Sequence, residues 1–210
     1  MDGDEQKPVV IIEHLEDTVG IWLFLEYRHS SLIYGSKYIW FTNLPEKYHA
    51  ILSKYGRVSN KSTIDLVRGG EITAREVLIL DPQAEKSLDY YDLVTHRYVV
   101  IGGILGDNPP RGRTKKLLTD KLENVEARNI GDGQYSIDGS VYYVDYLWRH
   151  RSLAGYSYVD GISIETRNGS IHLPFRYPLV EGKPLLAPGL LEYLREGRVP
   201  SYILREIGLA

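Results

Sequence analysis

The apolar positions of this chain fall into short unbroken runs separated by stretches of helical period. Val9-Val10-Ile11-Ile12 has no polar interruption, as expected of a strand buried on both faces, and it gives way to Glu13-His14-Leu15-Glu16-Asp17. Asp17 or Thr18 stands where a helix cap belongs, ahead of Val19, Trp22, Leu25 and Tyr27, which predicts a helix stopping near Gly35. Tyr38 to Phe41 reads as a second strand, Pro45 to Lys54 as a second helix, and Val77 to Leu80 as a third strand ending at Asp81-Pro82. Residues 56 to 76 are polar and carry no clear period.

Tyr98 to Ile101 is a fourth strand, and Pro109-Pro110 suits the opening of a helix through Lys115, Leu118 and Leu122. A fifth strand is expected around Val125 to Ile130. It is followed by the loop GDGQYSIDGS, a helix over residues 140 to 153, and a hairpin, ISIETRNGSIHLPF, turning at Asn168-Gly169. Pro188 to Glu196 predicts a last helix. Strands alternating with helices give an α/β fold, a mostly parallel sheet flanked by helices. Ligands of such sheets sit beyond the carboxyl ends of the strands, so the loops after strands three, four and five share one expected address.

Composition narrows the class. The chain has 210 residues, 43% hydrophobic and 25% charged, which suits one globular domain over residues 9–210 behind a disordered lead-in, residues 1–8. That acidic, polar lead-in differs from a secretory signal, and no apolar run approaches the length of a membrane helix. Absence of cysteine rules out a disulfide framework and a thiol nucleophile, and the expected compartment is the reducing cytoplasm. A net charge of -3 argues against coating nucleic acid through an overall field.

Gly102-Gly103-Ile104-Leu105-Gly106-Asp107 departs from both the dinucleotide fingerprint and the P-loop, and Asp107 would repel a phosphate. A neutral or cationic ligand held by backbone groups fits better; the other reading is a tight turn needed for chain geometry. Asp138 or Ser140 is the expected N-cap of the following helix. The histidines at 14, 29, 49, 96, 150 and 172 lack metal-ligand spacing, so no metal is predicted. Arg111, Arg113, Lys115 and Lys116 form a basic set, read as a solvated helix face or, if they meet nucleic acid, as phosphate contacts.

Taken together, EHLED followed by IWLFLEY, VVIGGILGDNPPRGRTKKL, GDGQYSID and LPFRYPLVEGKPLLAPGLLEYL resemble, in order and spacing, the SPOUT-class methyltransferases that modify arginine in a ribosomal protein. The wider family has also been described as RNA methyltransferases. The resemblance covers about Val9 to Leu194. It implies a SPOUT fold with a C-terminal trefoil knot, which periodicity cannot reveal because knotted chains are exceptions to ordinary topology. It also implies S-adenosylmethionine as cofactor, held by Leu80, Asp81 and Pro82; by Gly102, Gly103, Ile104, Leu105 and Gly106; and by Ile130, Gly131, Gln134, Tyr135, Ser136, Ile137 and Asp138. The chain departs from the family pattern in the third loop, where Tyr135-Ser136-Ile137 replaces Met-Thr-Thr, and at Asn108 and Gly112, where His and Asp are expected.

The implied reaction moves the sulfonium methyl to a nitrogen. An arginine acceptor has a pKa above about 12, so a carboxylate must orient it and accept a proton as the bond forms. Asp107 is the first candidate for that carboxylate and Glu13 the second, with His14, Arg176, Tyr177, Arg111 and Arg113 positioning the substrate. Expected partners are a ribosomal or translation protein, the enzyme acting as a monomer or homodimer. The alternatives are a structured RNA acceptor, gripped in part by Arg149-His150-Arg151, and a non-catalytic ribosome-assembly module that keeps the pocket.

Overall fold

A computed structural model describes residues 6–106, 111–166 and 169–207. Its centre is a six-stranded sheet in the order β3-β2-β1-β5-β4-β6. The strands are β1 (Val9–His14), β2 (Ile39–Thr42), β3 (Arg57–Val58), β4 (Val77–Leu80), β5 (Tyr98–Gly103) and β6 (Glu126–Arg128), and every neighbouring pair is parallel. The unbroken apolar runs are explained by two covered faces. Val10 and Ile12 point into a cluster with Leu78, Leu80, Val99 and Ile101, while Ile11 joins Ile79, Val100 and Trp40 on the other side. The first face is covered by α1 (Ile21–Tyr34), α4 (Tyr90–Thr95) and α6 (Ile137–His150), whose Tyr27, Leu93, Val141 and Val144 fill the cluster. The second is covered by Leu66 of α3 (Thr63–Arg68) and by Leu118 and Leu122, which follow α5 (Arg113–Leu117).

After α6 comes a separate antiparallel sheet in the order β7-β8-β9, made by β7 (Tyr158–Thr166), β8 (Gly169–Val180) and β9 (Lys183–Pro184). The expected hairpin is there, with Ile164 opposite Ile171 and Tyr158 opposite Pro178; its Asn168 lies outside the described residues. Helices α7 (Leu190–Glu196) and α8 (Ser201–Ile207) return to α1, packing Leu190 and Ile203 on Leu25. Arg28 of α1 closes that contact with a two-pronged bond to Glu206, Nε to Oε1 at 2.9 Å and Nη2 to Oε2 at 2.5 Å. Among the described residues no helix is long and apolar enough to cross a membrane.

Several local expectations are corrected. Helix α1 begins at Ile21 behind Gly20, with no side-chain cap, so neither Asp17 nor Thr18 plays that part. The second predicted helix is a short 3-10 turn, Glu46–Tyr48, followed by α2 (His49–Leu52). Helix α5 breaks at Leu118, where φ is -125° and ψ -67°, and resumes as a 3-10 turn over Thr119–Lys121; Pro109 and Pro110 lie outside the described residues. The cap of α6 is Ser136, whose hydroxyl accepts from the Gly139 amide at 3.2 Å, so the helix starts before the expected Asp138 or Ser140. The lead-in is tied down at its end: Lys7 donates to Asp145 at 2.9 Å and to the Tyr34 carbonyl at 3.1 Å.

Candidate functional site

The carboxyl ends of β4, β5 and β6 open into one cavity of about 270 Å³. Leu80, Asp81 and Pro82 line it from the first loop, Gly102, Ile104 and Gly106 from the second, and Ile130, Gly131, Gln134 and Tyr135 from the third. Arg111 and Arg113 also line it, which takes half of the basic set away from an open helix face. Sequence reasoning missed Gln83, Ile101, Gly112 and Thr114, whereas Asp132, Gly133 and Ser140 belong to the GDGQYSIDGS loop that it placed at this address. Proximity to glycine turns was the available signal for most of them.

The glycines turn out to serve different ends. A Cβ on Gly103 would collide with the Tyr27 hydroxyl and stand 2.8 Å from the Glu13 carbonyl oxygen, so this residue faces the core and does not line the cavity. Gly106 is crowded by Gln134 and Phe175, and Gly133 by the Arg176 guanidinium. Gly112, at φ +62°, takes a left-handed conformation that suits glycine. The glycine loop is fixed by Glu16, which accepts from the Leu105 amide at 3.1 Å and from Arg113 at 3.0 Å, while Arg113 also donates to the Leu105 carbonyl. Asp81 similarly pins its own turn, accepting from the Gln83 amide at 2.9 Å and from Thr119 at 2.7 Å.

The remaining predicted residues are placed elsewhere. Asp107 lies outside the described residues. Glu13 is buried away from the cavity, its Oε2 accepting from Thr42 and from both the amide and hydroxyl of Thr63, the latter two at 2.8 Å. Burial pushes its pKa up against the pull of those donors. His14 is buried beside it, Nδ1 3.0 Å from the Tyr27 hydroxyl, and burial lowers its pKa. Arg176 is held by Asp160 at 2.6 and 2.8 Å and by Asp132 at 2.9 Å, and stacks on Tyr158 at 3.9 Å. Its amide donates to the Gln134 carbonyl at 2.8 Å, so it fastens the third loop to β8 rather than standing free for a substrate.

Leu105 and Ser136 line a second, much smaller cavity next to the first, with Ile104, Gly106, Phe175 and Glu26. Ile104 and Gly106 belong to both cavities. Glu26 spans the joint between α1 and α6: Trp22 Nε1 donates to one oxygen at 2.6 Å and the Ile137 amide to the other at 3.0 Å. Burial and the nearby Asp138 push its carboxyl up to about 8. Asp138 accepts from Ser136 at 2.6 Å and lies 2.7 Å from Nδ1 of His29. Ile137 and Asp138 therefore build this joint, and neither lines the larger cavity. Among the described residues no group of histidines and carboxylates could hold a metal ion.

A family model described as protein arginine N-methyltransferase SFM1-like matches residues 9–200. The chain is similar to the protein arginine N-methyltransferase SFM1 of Saccharomyces cerevisiae, at 31% identity over 209 residues, covering 91% of this chain and 96% of the relative. It is also similar to the crystal structure of the yeast arginine methyltransferase SFM1 complexed with SAM, at TM-score 0.80 and 28% identity, with 93% of each chain covered. The structure of that enzyme complexed with SAH gives TM-score 0.77 and 29% identity over 89% of this chain and 94% of the other. The dual specific Trm10 from Thermococcus kodakaraensis shares the fold, at TM-score 0.54 and 17% identity over 69% of this chain and 94% of the other. The α/β architecture is the SPOUT fold of these neighbours.

Proposed function

Because this chain belongs to the family of SFM1-like protein arginine N-methyltransferases, we propose that it transfers a methyl group from S-adenosylmethionine to an arginine nitrogen of a ribosomal or translation protein. The observation that carries the reading is the cavity where the loops after β4, β5 and β6 meet. Its position beyond the carboxyl ends of parallel strands is where such sheets hold ligands. Its walls fit the cofactor: apolar Leu80, Ile101, Ile104 and Ile130 surround a rim of glycine and proline backbone, which offers amides and carbonyls to adenine and ribose. When bound, the cofactor supplies an electrophilic methyl on a sulfonium.

The protein's own part is placement. Leu80 to Pro82, Gly102, Ile104, Gly106 and Ile130 to Tyr135 would hold the cofactor, and Glu16 with Arg113 keeps the middle loop in register beneath it. The same reading puts the trefoil knot at the third loop: the chain leaving β6 pairs with the first loop, Leu88 donating to the Asn129 carbonyl and Asn129 to that of Lys86, each at 2.8 Å, before α6 begins. The match to arginine N-methyltransferases favours protein over RNA as the acceptor, while Arg111 and Arg113 in the cavity wall are the feature an RNA acceptor would use. The test is to incubate the protein with methyl-labelled S-adenosylmethionine and a cell extract. Label recovered as methylarginine from a ribosomal or translation protein is expected; label in RNA, or none, overturns the reading.

A further inference from the structure

Methyl transfer to a guanidinium needs an anion that faces the acceptor and takes a proton, and among the described residues the cofactor cavity shows none committed to that task. Asp81 is bound to Thr119 and the Gln83 amide, and Asp132 to Arg176. The small cavity beyond Ile104 and Gly106 holds a different kind of carboxylate. Glu26 is almost wholly buried and receives only the Trp22 indole and the Ile137 amide, with no described cation paired to it. Beside it the buried Tyr177 hydroxyl has no hydrogen-bond partner among the described residues, and both Glu26 and Asp138 act on that phenol electrostatically. A buried carboxylate without a cation and a buried hydroxyl without a partner are each costly to keep.

We propose that the Glu26 carboxylate, in the small cavity that shares Ile104 and Gly106 with the cofactor cavity, seats the guanidinium of the acceptor arginine and accepts the proton it releases, with Tyr177 as a neighbouring hydrogen-bond partner. The inference rests on the arginine methyltransferase reading. The seat is small, with room for about one water, so it takes the flat edge of a guanidinium rather than a whole side chain. As the acceptor nitrogen bonds to the methyl carbon, the carbon–sulfur bond breaks with its electron pair left on sulfur, and the nitrogen's proton passes to Glu26. The groups facing Glu26 sharpen the effect. Asp138, held by His29 and Ser136, adds negative charge from α6, and Tyr27 and Tyr177 are neutral. An arriving cation thus replaces a proton on Glu26, and arginine affinity rises with pH toward about 8.

The test compares wild type, Glu26→Gln and Glu26→Asp. Cofactor affinity and melting temperature are measured first, then binding of N-acetylarginine amide to the S-adenosylhomocysteine-loaded protein at several pH values, and finally labelling of extract protein. Expected results are cofactor affinity within about threefold of wild type, arginine-amide binding that loses its rise with pH in Glu26→Gln, and transfer reduced at least about a hundredfold, partly restored in Glu26→Asp. Glu26→Gln with near-normal transfer, especially beside an inactive Asp107→Ala, overturns the assignment and passes the role to Asp107. Loss of folding or cofactor binding in both Glu26 variants overturns it in favour of a purely structural joint. A wild type that labels no arginine at all removes the premise, a result distinct from failure of Glu26 alone.

Discussion

Glu13 and Glu26 lie on the same β1–α1 unit, both buried and both raised in pKa by that burial, yet their surroundings make them opposites. Around Glu13 the sheet end and α3 close a small polar knot: Thr42 and Thr63 supply hydroxyls, and the Thr63 amide adds another donor, all to one carboxylate oxygen. Around Glu26 one donor reaches each oxygen, a cavity opens alongside, and the nearest charge is another carboxylate. Burial with a raised pKa is thus a weak sign of chemistry. What separates the two regions is access and the number of donors that hold the carboxylate.

The largest effect that would break this contrast comes from Glu13→Ala. It leaves several buried donors unsatisfied and a small void, which is expected to cost about 3 kcal/mol by urea unfolding while transfer per folded molecule stays within about threefold. A large loss of transfer at preserved stability would mean that Glu13 is catalytic after all. Gly103→Ala presses a methyl against Tyr27 and the Glu13 carbonyl in the same region, for an expected loss of about 1–3 kcal/mol in the same measurement.

A gentler probe is pH. Both glutamates have folded pKa values above those of the unfolded chain, so the folded state binds more protons above the ordinary carboxylate range, for Glu26 in a window that reaches about 8. Stability should be greatest at the acidic end of that window and fall as pH rises through it. Urea midpoints at about pH 5 and about pH 9 should differ less in Glu26→Gln than in wild type, and equal slopes would show that Glu26 does not titrate there. The smallest effect is expected from Asp132→Asn. Its side chain is 94% exposed although it pairs with Arg176, and such pairs contribute about 0–1 kcal/mol; a larger loss of melting stability would blur the line drawn between buried and surface carboxylates.

The sheet was legible because its strands are covered on both faces and therefore read as continuous apolar runs, as Val9 to Ile12 and Val77 to Leu80 do. The cavity was legible by the rule that puts ligands at strand carboxyl ends, which brought Asp81, Ile104 and Gly131 together without contact information. Residues 56 to 76 were opaque to periodicity, because α3 is only a turn and a half long. Its capping box was written plainly as Ser62-Thr63-Ile64-Asp65, and a second box, Thr73 with Glu76, leads into β4. Arg176 and Glu26 were beyond sequence reasoning for another reason. One reaches across to Asp132 and Asp160, the other to Ile137, and the partners of such side chains depend on how the layers stack.

The indole of Trp22 donates its only polar hydrogen to Glu26 at 2.6 Å. The chain's other tryptophans are far from such a contact, Trp40 lying under the Arg57 guanidinium and Trp148 packing on Tyr90. Trp22 therefore acts as a built-in optical reporter. Any change in charge on that carboxyl, whether from a hydroxide titration or from an incoming guanidinium, alters the electric field on one fluorophore, so occupancy of the acceptor seat can be followed by emission without a label on protein or substrate.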